Sequence, residues 1–218
     1  MKQLTFYFDP ISPYAALAFE RLPDVLQGLS YSVDYRPILF ASLLKAGGNK
    51  GPAEIPGKRE WTYRQVLWEA QRLGLPLQLP TAHPFNPLGL LRLCWATALP
   101  GQGPSRHVVE QVLRHVWRGG APAADPARLQ ALAASLGADP DAEHAKARLR
   151  EASDEALARG VFGVPTVAVD DKLFWGLDSL EMLSAYLRGH AWFDGPDWSA
   201  AAALQPDAAI KRPAPGKT

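Results

Sequence analysis

The chain has 218 residues, 47% of them hydrophobic, with 23 Lys and Arg against 22 Asp and Glu for a net charge of +1. That length supports a real core, in one domain or in one domain with a large insertion. A near-neutral chain has no overall field to hold phosphate backbones, which argues against a nucleic-acid partner.

Residues 3 to 8, QLTFYF, are short, aromatic and β-branched, and predict a buried strand. SPYAALAFERLPDVL follows as a helix, with Ser12 suited to the N-cap and Pro13 to the first helical position. LSYSVDYRPIL alternates and predicts a second strand that closes a βαβ unit. From about 40 to 158 the pattern turns helical. REWTYRQVLWEAQRLG, NPLGLLRLCWATALP, RHVVEQVLRHVWRGG, DPARLQALAASLG and DAEHAKARLREASDEALARG are separated by Pro and Gly and share no repeat period. TVAV and KLFW then predict two strands joined by the DD turn. DSLEMLSAYLRG predicts a final helix, capped by Asp178 or Ser179 and closed by Gly189. The expected organisation is an α/β fold: residues 1–39 and 159–204 as one unit, 40–158 as an all-helical insertion, and 205–218 as a flexible tail.

The single cysteine, Cys94, excludes an internal disulfide, a CxxC redox pair and a Cys-based zinc site. Its apolar surroundings, LLRLCWATAL, predict a buried small hydrophobe. Arg148, Arg150 and Arg159 alternate with acidic residues and read as a solvated helix face. Asp9 and Pro10 interrupt the first apolar run before a signal-peptide layout forms, and no apolar stretch reaches the ~20 residues of a membrane span. The expectation is a soluble, cytoplasmic protein with no membrane partner. The five histidines are scattered without metal-ligand spacing, and HExxH, P-loop and GxGxxG patterns are missing, so no metal or nucleotide cofactor is expected.

Two positions stand out. Ser12 opens the first helix; on its residue type alone it is an N-cap or a ligand contact. Pro165 in GVPT starts a strand. Proline is ordinary there on edge-strand grounds, yet its place in the βαβ–ββα layout favours a cis Val164–Pro165 bond.

FYFDPISPYAALA at 6–18, GGNKGP at 47–52 and GVFGVPTVAVDDKLFWGLDSLEML at 160–183 together resemble the thioredoxin-like fold with a helical insertion. The match is to its DsbA-like branch, which holds 2-hydroxychromene-2-carboxylate isomerases and kappa-class glutathione transferases. The last of these motifs is long and specific, whereas SPY alone is weak. The resemblance implies that Ser12 stands where redox relatives carry a nucleophilic Cys, and that bound glutathione supplies the thiol. With no adjacent base, Ser12 would donate a hydrogen bond to a thiolate rather than attack, aided by the positive helix end.

By the same resemblance Val164, before Pro165, would pair its backbone with the cysteinyl part of glutathione. Asp178 would hold the γ-glutamyl ammonium, Ser179 its carboxylate, and Trp175, Gly176 and Leu177 would line that pocket. Leu177 departs from the family's isomerases, which usually carry a polar residue there. Asn49, Lys50 and Lys58 would meet a carbonyl or carboxylate of the second substrate, with Lys50 and Lys58 otherwise solvated surface lysines. Phe85 and Asn86 of HPFNP would form its aromatic pocket. The implied activity is isomerisation of 2-hydroxychromene-2-carboxylate and trans-o-hydroxybenzylidenepyruvate, or a similar small aromatic substrate, in a homodimer. A kappa-class-like transferase and a non-catalytic thioredoxin-fold binding module are the alternatives.

Overall fold

The computed structural model describes residues 1–204, and the expected tail at 205–218 lies outside the described residues. The aromatic run near the N-terminus forms β1 (Lys2–Phe8), and the SPY turn leads into α1 (Pro13–Val25) with Ser12 as N-cap and Pro13 at its first position. β2 (Tyr31–Pro37) returns parallel to β1, in register from Lys2 opposite Tyr31 to Phe8 opposite Pro37. The helical stretch supplies α2 (Phe40–Ala46), α3 (Lys58–Arg72), α4 (Leu88–Ala96), α5 (Arg106–Trp117), α6 (Pro126–Leu136) and α7 (Glu143–Ala158). β3 (Thr166–Val169) and β4 (Lys172–Trp175) form the expected hairpin, and α8 (Leu180–Leu187) follows. β3 runs antiparallel to β1, so the sheet order is β2-β1-β3-β4. This is the thioredoxin-like arrangement, with the helical stretch between β2 and β3.

The sheet is buried on both faces, and the two-residue period of its strands decides which residue serves which side. Leu4, Phe6, Phe8, Val167 and Val169 point into a core built with α1, α5 and α8. Tyr7 and Ala168 point the other way, into a second core with Leu43, Leu91, Trp95, Leu149 and Ala156. α4 sits between the two: Leu90 and Cys94 join the first core, Leu91 and Trp95 the second. Burial raises the Cys94 thiol pKa, which keeps it a neutral packing residue.

Some elements were not read from the sequence. α2 has only seven residues, too short to display a period. After α8, a 3₁₀ turn (Ala191–Asp194) and α9 (Pro196–Ala203) bring Phe193 and Trp198 onto Phe174, with ring centroids 6.1 and 6.4 Å apart. The cap of α8 also differs. Ser179 is the N-cap, but its hydroxyl donates to the Gly176 carbonyl at 2.9 Å and makes no side-chain cap to the helix. The reason is local: Gly176 turns the chain with φ +95°, which presents its carbonyl to Ser179 before α8 begins.

The helical stretch is tied to the β1–α1 turn by a long indole reach. Trp117, at the end of α5 and 2% exposed, donates Nε1–H to the buried Pro10 carbonyl at 2.9 Å. Trp117→Phe keeps most of the packing and orphans that carbonyl. Its expected cost is about 1–3 kcal/mol of unfolding free energy, read by chemical denaturation with an unchanged m-value.

Candidate functional site

The site grows from the strand-to-helix turn Asp9–Ser12. Asp9 is fully buried, and its carboxylate accepts the N–H of Ile11 (3.0 Å) and that of Phe40 at the start of α2 (3.0 Å). Its carbonyl accepts from Ser12 N–H at 2.9 Å. The turn therefore closes on itself and on α2 at once. Burial pushes the Asp9 carboxyl up to about 7, against the two N–H donors that pull it down. Sequence reading passed over Asp9 as a mere interruption of an apolar run. The available signal was an acid between a buried strand and a helix start, with no basic neighbour.

Ser12 is 8% exposed. Its Oγ accepts from the Ala15 N–H at 3.3 Å, the N-cap bond, and its O–H points to the Val164 carbonyl at a long 3.4 Å. A bond that long is weak, so the hydroxyl can exchange it for a better acceptor. The Val164–Pro165 peptide is cis. Among the described residues no backbone carbonyl accepts the Val164 N–H, whereas the Pro165 carbonyl takes Gly176 N–H at 2.9 Å. Thr166 Oγ1 donates to the Gly163 carbonyl at 2.8 Å and braces the loop.

A cavity of about 510 Å³ opens beside this loop, walled by Val164, Pro165, Trp175, Gly176, Leu177 and Asp178. Six of the eight residues expected to hold glutathione thus line one hollow. Ser12 lies at its edge through Val164, and Ser179 is turned to Gly176. The far wall was not foreseen: Tyr14 and Arg21 of α1, with Gln65, Glu69 and Arg72 of α3. Tyr14 Oη donates to Gln65 Oε1 at 3.0 Å, linking the two helices over the hollow. Its phenol is pushed upward by burial first, then by the charges of Glu69 and Asp178. Gly176 is required here, because a Cβ would collide with the Asp178 carboxylate. Gly163 likewise leaves room for the Trp175 indole, which rests on Phe162 with centroids 5.0 Å apart.

On the other side of the turn, His83 Nε2 lies 2.7 Å from the Ile11 carbonyl and its Nδ1 lies 2.7 Å from Tyr63 Oη. Phe85 packs against the His83 ring at 5.8 Å, so HPFNP does place an aromatic beside the turn. Asn86 is exposed, and its Oδ1 accepts Leu88 N–H at 3.0 Å, two residues on, just ahead of α4. Asn49, Lys50 and Lys58 are exposed, in the loop after α2 and at the first turn of α3. A larger hollow of about 700 Å³ runs along β2 and the 101–106 loop, and shares no lining residue with the first. Among the described residues no group of three or more His, Cys, Asp or Glu is arranged to hold a metal.

This fold defines a DsbA-like thioredoxin protein with a serine hydroxyl at the head of its first helix. The family model described as a DSBA-like thioredoxin domain matches residues 3–188. A 2-hydroxychromene-2-carboxylate isomerase of Sphingobium xenophagum is 32% identical, over 85% of this chain and 98% of that protein. Glutathione S-transferase kappa 1 of Rattus norvegicus is 26% identical, over 88% and 93%. A solved 2-hydroxychromene-2-carboxylate isomerase superposes with a TM-score of 0.74 at 29% identity, covering 90% of this chain and 98% of that one. The chain belongs to the DsbA-like thioredoxin-domain family and, within it, to the 2-hydroxychromene-2-carboxylate isomerase family of enzymes.

The raised Asp9 pKa has a definite sign for stability. Between the ordinary carboxyl value of 3.8 and about 7 the folded state holds a proton that the unfolded state has lost. The group's contribution is full below about 4 and gone above about 7, so stability falls as pH rises across that window. Asp9→Asn is expected to remove that slope while costing stability at low pH, since its amide must face an N–H donor. Urea denaturation at several pH values reads both effects; parallel slopes in the two proteins would contradict this assignment.

Proposed function

We propose that this protein is a glutathione-dependent isomerase acting on 2-hydroxychromene-2-carboxylate and trans-o-hydroxybenzylidenepyruvate, or a closely similar small aromatic substrate. The observation that carries the reading is the serine at the head of α1 facing the carbonyl of Val164 at the rim of a cavity with mixed charge. The chemistry of the donors fits the tripeptide. Val164 offers a weakly held carbonyl and an N–H that has no backbone partner among the described residues, which suit an added strand. Asp178, Glu69 and Glu181 suit an ammonium, and Arg21 and Arg72 suit carboxylates. A volume of about 510 Å³ is in the range of small-molecule sites.

Bound glutathione would supply a thiolate that adds to the conjugated enone, makes the double bond single for rotation, and departs unchanged. Ser12 would turn its O–H from the Val164 carbonyl to the sulfur, and the positive end of α1 favours the same negative charge. Each unit by which the thiol pKa falls is worth ~1.4 kcal/mol of thiolate stabilisation. Asn49, Lys50 and Lys58 are the donors proposed for charge developing on the substrate oxygen, with Phe85 and Asn86 beside its ring. The division into a thioredoxin-like part (1–39, 159–204) and a helical insertion (40–158), a cytoplasmic location and a homodimer complete the proposal. The exposed Trp61 and Trp68, seven residues apart on α3, are the surface offered for the second copy.

Mixing protein, glutathione and the chromene is expected to give the absorbance change of isomerisation with no glutathione in the product. Ser12→Ala is expected to lower kcat by about 10²-fold or more. An unaltered rate removes the role of the serine. A product that retains glutathione replaces the isomerase with a transferase, and failure to bind glutathione at millimolar concentration favours the binding module.

A further inference from the structure

The turn that aims Ser12 is held from outside the sheet. Trp117 takes the Pro10 carbonyl, the Phe40 N–H takes the Asp9 carboxylate, and His83 takes the Ile11 carbonyl. All three come from the helical stretch between β2 and β3. The His83 contact is short at 2.7 Å and has a defined polarity. A carbonyl oxygen only accepts, so Nε2 carries the proton. Nδ1 is then an acceptor, and the Tyr63 hydroxyl, 2.7 Å away, is its donor. Burial holds His83 below the ordinary histidine value, so the ring is neutral and one tautomer serves both bonds. Rings on three sides fix its plane: Tyr63 at 5.6 Å, Phe85 at 5.8 Å and Trp117 at 5.5 Å.

We infer that His83 is a positioning residue for Ser12: its Nε2–H fixes the Ile11–Ser12 peptide plane, and the Tyr63 hydroxyl fixes the tautomer that makes this possible. The Ile11 carbonyl and the Ser12 N–H belong to one rigid peptide unit. The N–H end is anchored on the Asp9 carbonyl and the C=O end on His83, so the unit cannot rotate about its flanking bonds. The direction of the Ser12 side chain follows from that plane. Misplacement of a reacting group by about 1 Å is worth about 10² in rate, so such an anchor reaches the chemistry without touching it. The partner of Ser12 as a thiolate rests on the function proposed above; the anchoring of residue 12 does not.

A thiol placed at position 12 by Ser12→Cys tests the anchoring without glutathione. Its ionisation is read from the pH profile of iodoacetamide alkylation, with the parent protein, whose buried Cys94 is its one thiol, as blank. The introduced thiol is expected to ionise below the ~8.5 of a free cysteine. Adding His83→Phe should raise the midpoint by about one unit, a tenfold loss of thiolate at lower pH. Adding His83→Gln, whose amide can still donate to the Ile11 carbonyl, should restore most of the shift. Tyr63→Phe keeps the ring packing and should move the midpoint in the same direction by less, so the test survives if His83→Phe does not fold. Equal midpoints for Ser12→Cys with and without Tyr63→Phe or His83→Phe, or a Gln variant as impaired as the Phe variant, would overturn the inference. Calorimetry of the unaltered protein with glutathione separates the two claims. Absent binding with the expected midpoints sinks the cofactor reading alone; tight binding with unmoved midpoints sinks the positioning role alone.

Discussion

Four residues, Asp9 to Ser12, leave a buried strand and enter a buried helix start, and their polar groups have little access to water. Buried amides and carbonyls must be paired, or the fold loses about 1–3 kcal/mol for each. β1 cannot supply the partners, because its ladder ends at Phe8 opposite Pro37. The partners come from the turn's own atoms and from α2, the His83 loop and α5. The helical stretch is therefore part of the machinery that points the serine, as well as a cover for the sheet.

That constraint connects the two sides of Ser12. Toward β3 and β4 the chain offers a strand-like edge: a cis peptide before Pro165, an N–H without a backbone partner among the described residues and a glycine turn at Gly176 that admits the Asp178 carboxylate. Toward the helical stretch it offers rings and exposed donors. A hydroxyl between these halves, at a positive helix end, suits an anion brought by a ligand better than a nucleophile of its own. The protein's own thiol, Cys94, is buried in the core where its charge is disfavoured.

Much of this was legible in the sequence. The strands, α1 and the longer helices followed from hydrophobic period and from Pro and Gly punctuation, because tertiary packing reinforces the same faces. The Ser12 cap and the Val164–Pro165 junction were readable from position, and six lining residues followed from a motif. Tyr63 and Trp117 were missed for one shared reason: their roles depend on contacts 20 and 107 residues apart in the chain, which no local pattern encodes. Asp9 carried a local signal in its place between strand and helix, but its tie to Phe40 lies 31 residues away. The Asp178–Ser179 cap was read from residue type, but the left-handed turn at Gly176 spends the Ser179 hydroxyl first. Tyr14, Gln65, Glu69 and Arg72 entered the cavity wall because α1 and α3 meet there, which helical periodicity alone does not disclose.

A sulfur that the ligand brings and the helix head keeps ionised is the centre of this account. The most direct measurement is a crystal structure with glutathione bound. The account predicts the sulfur within hydrogen-bonding distance of Ser12 Oγ, with the cysteinyl backbone paired to Val164. Glutathione ordered instead in the hollow along β2, its sulfur remote from Ser12, would contradict it.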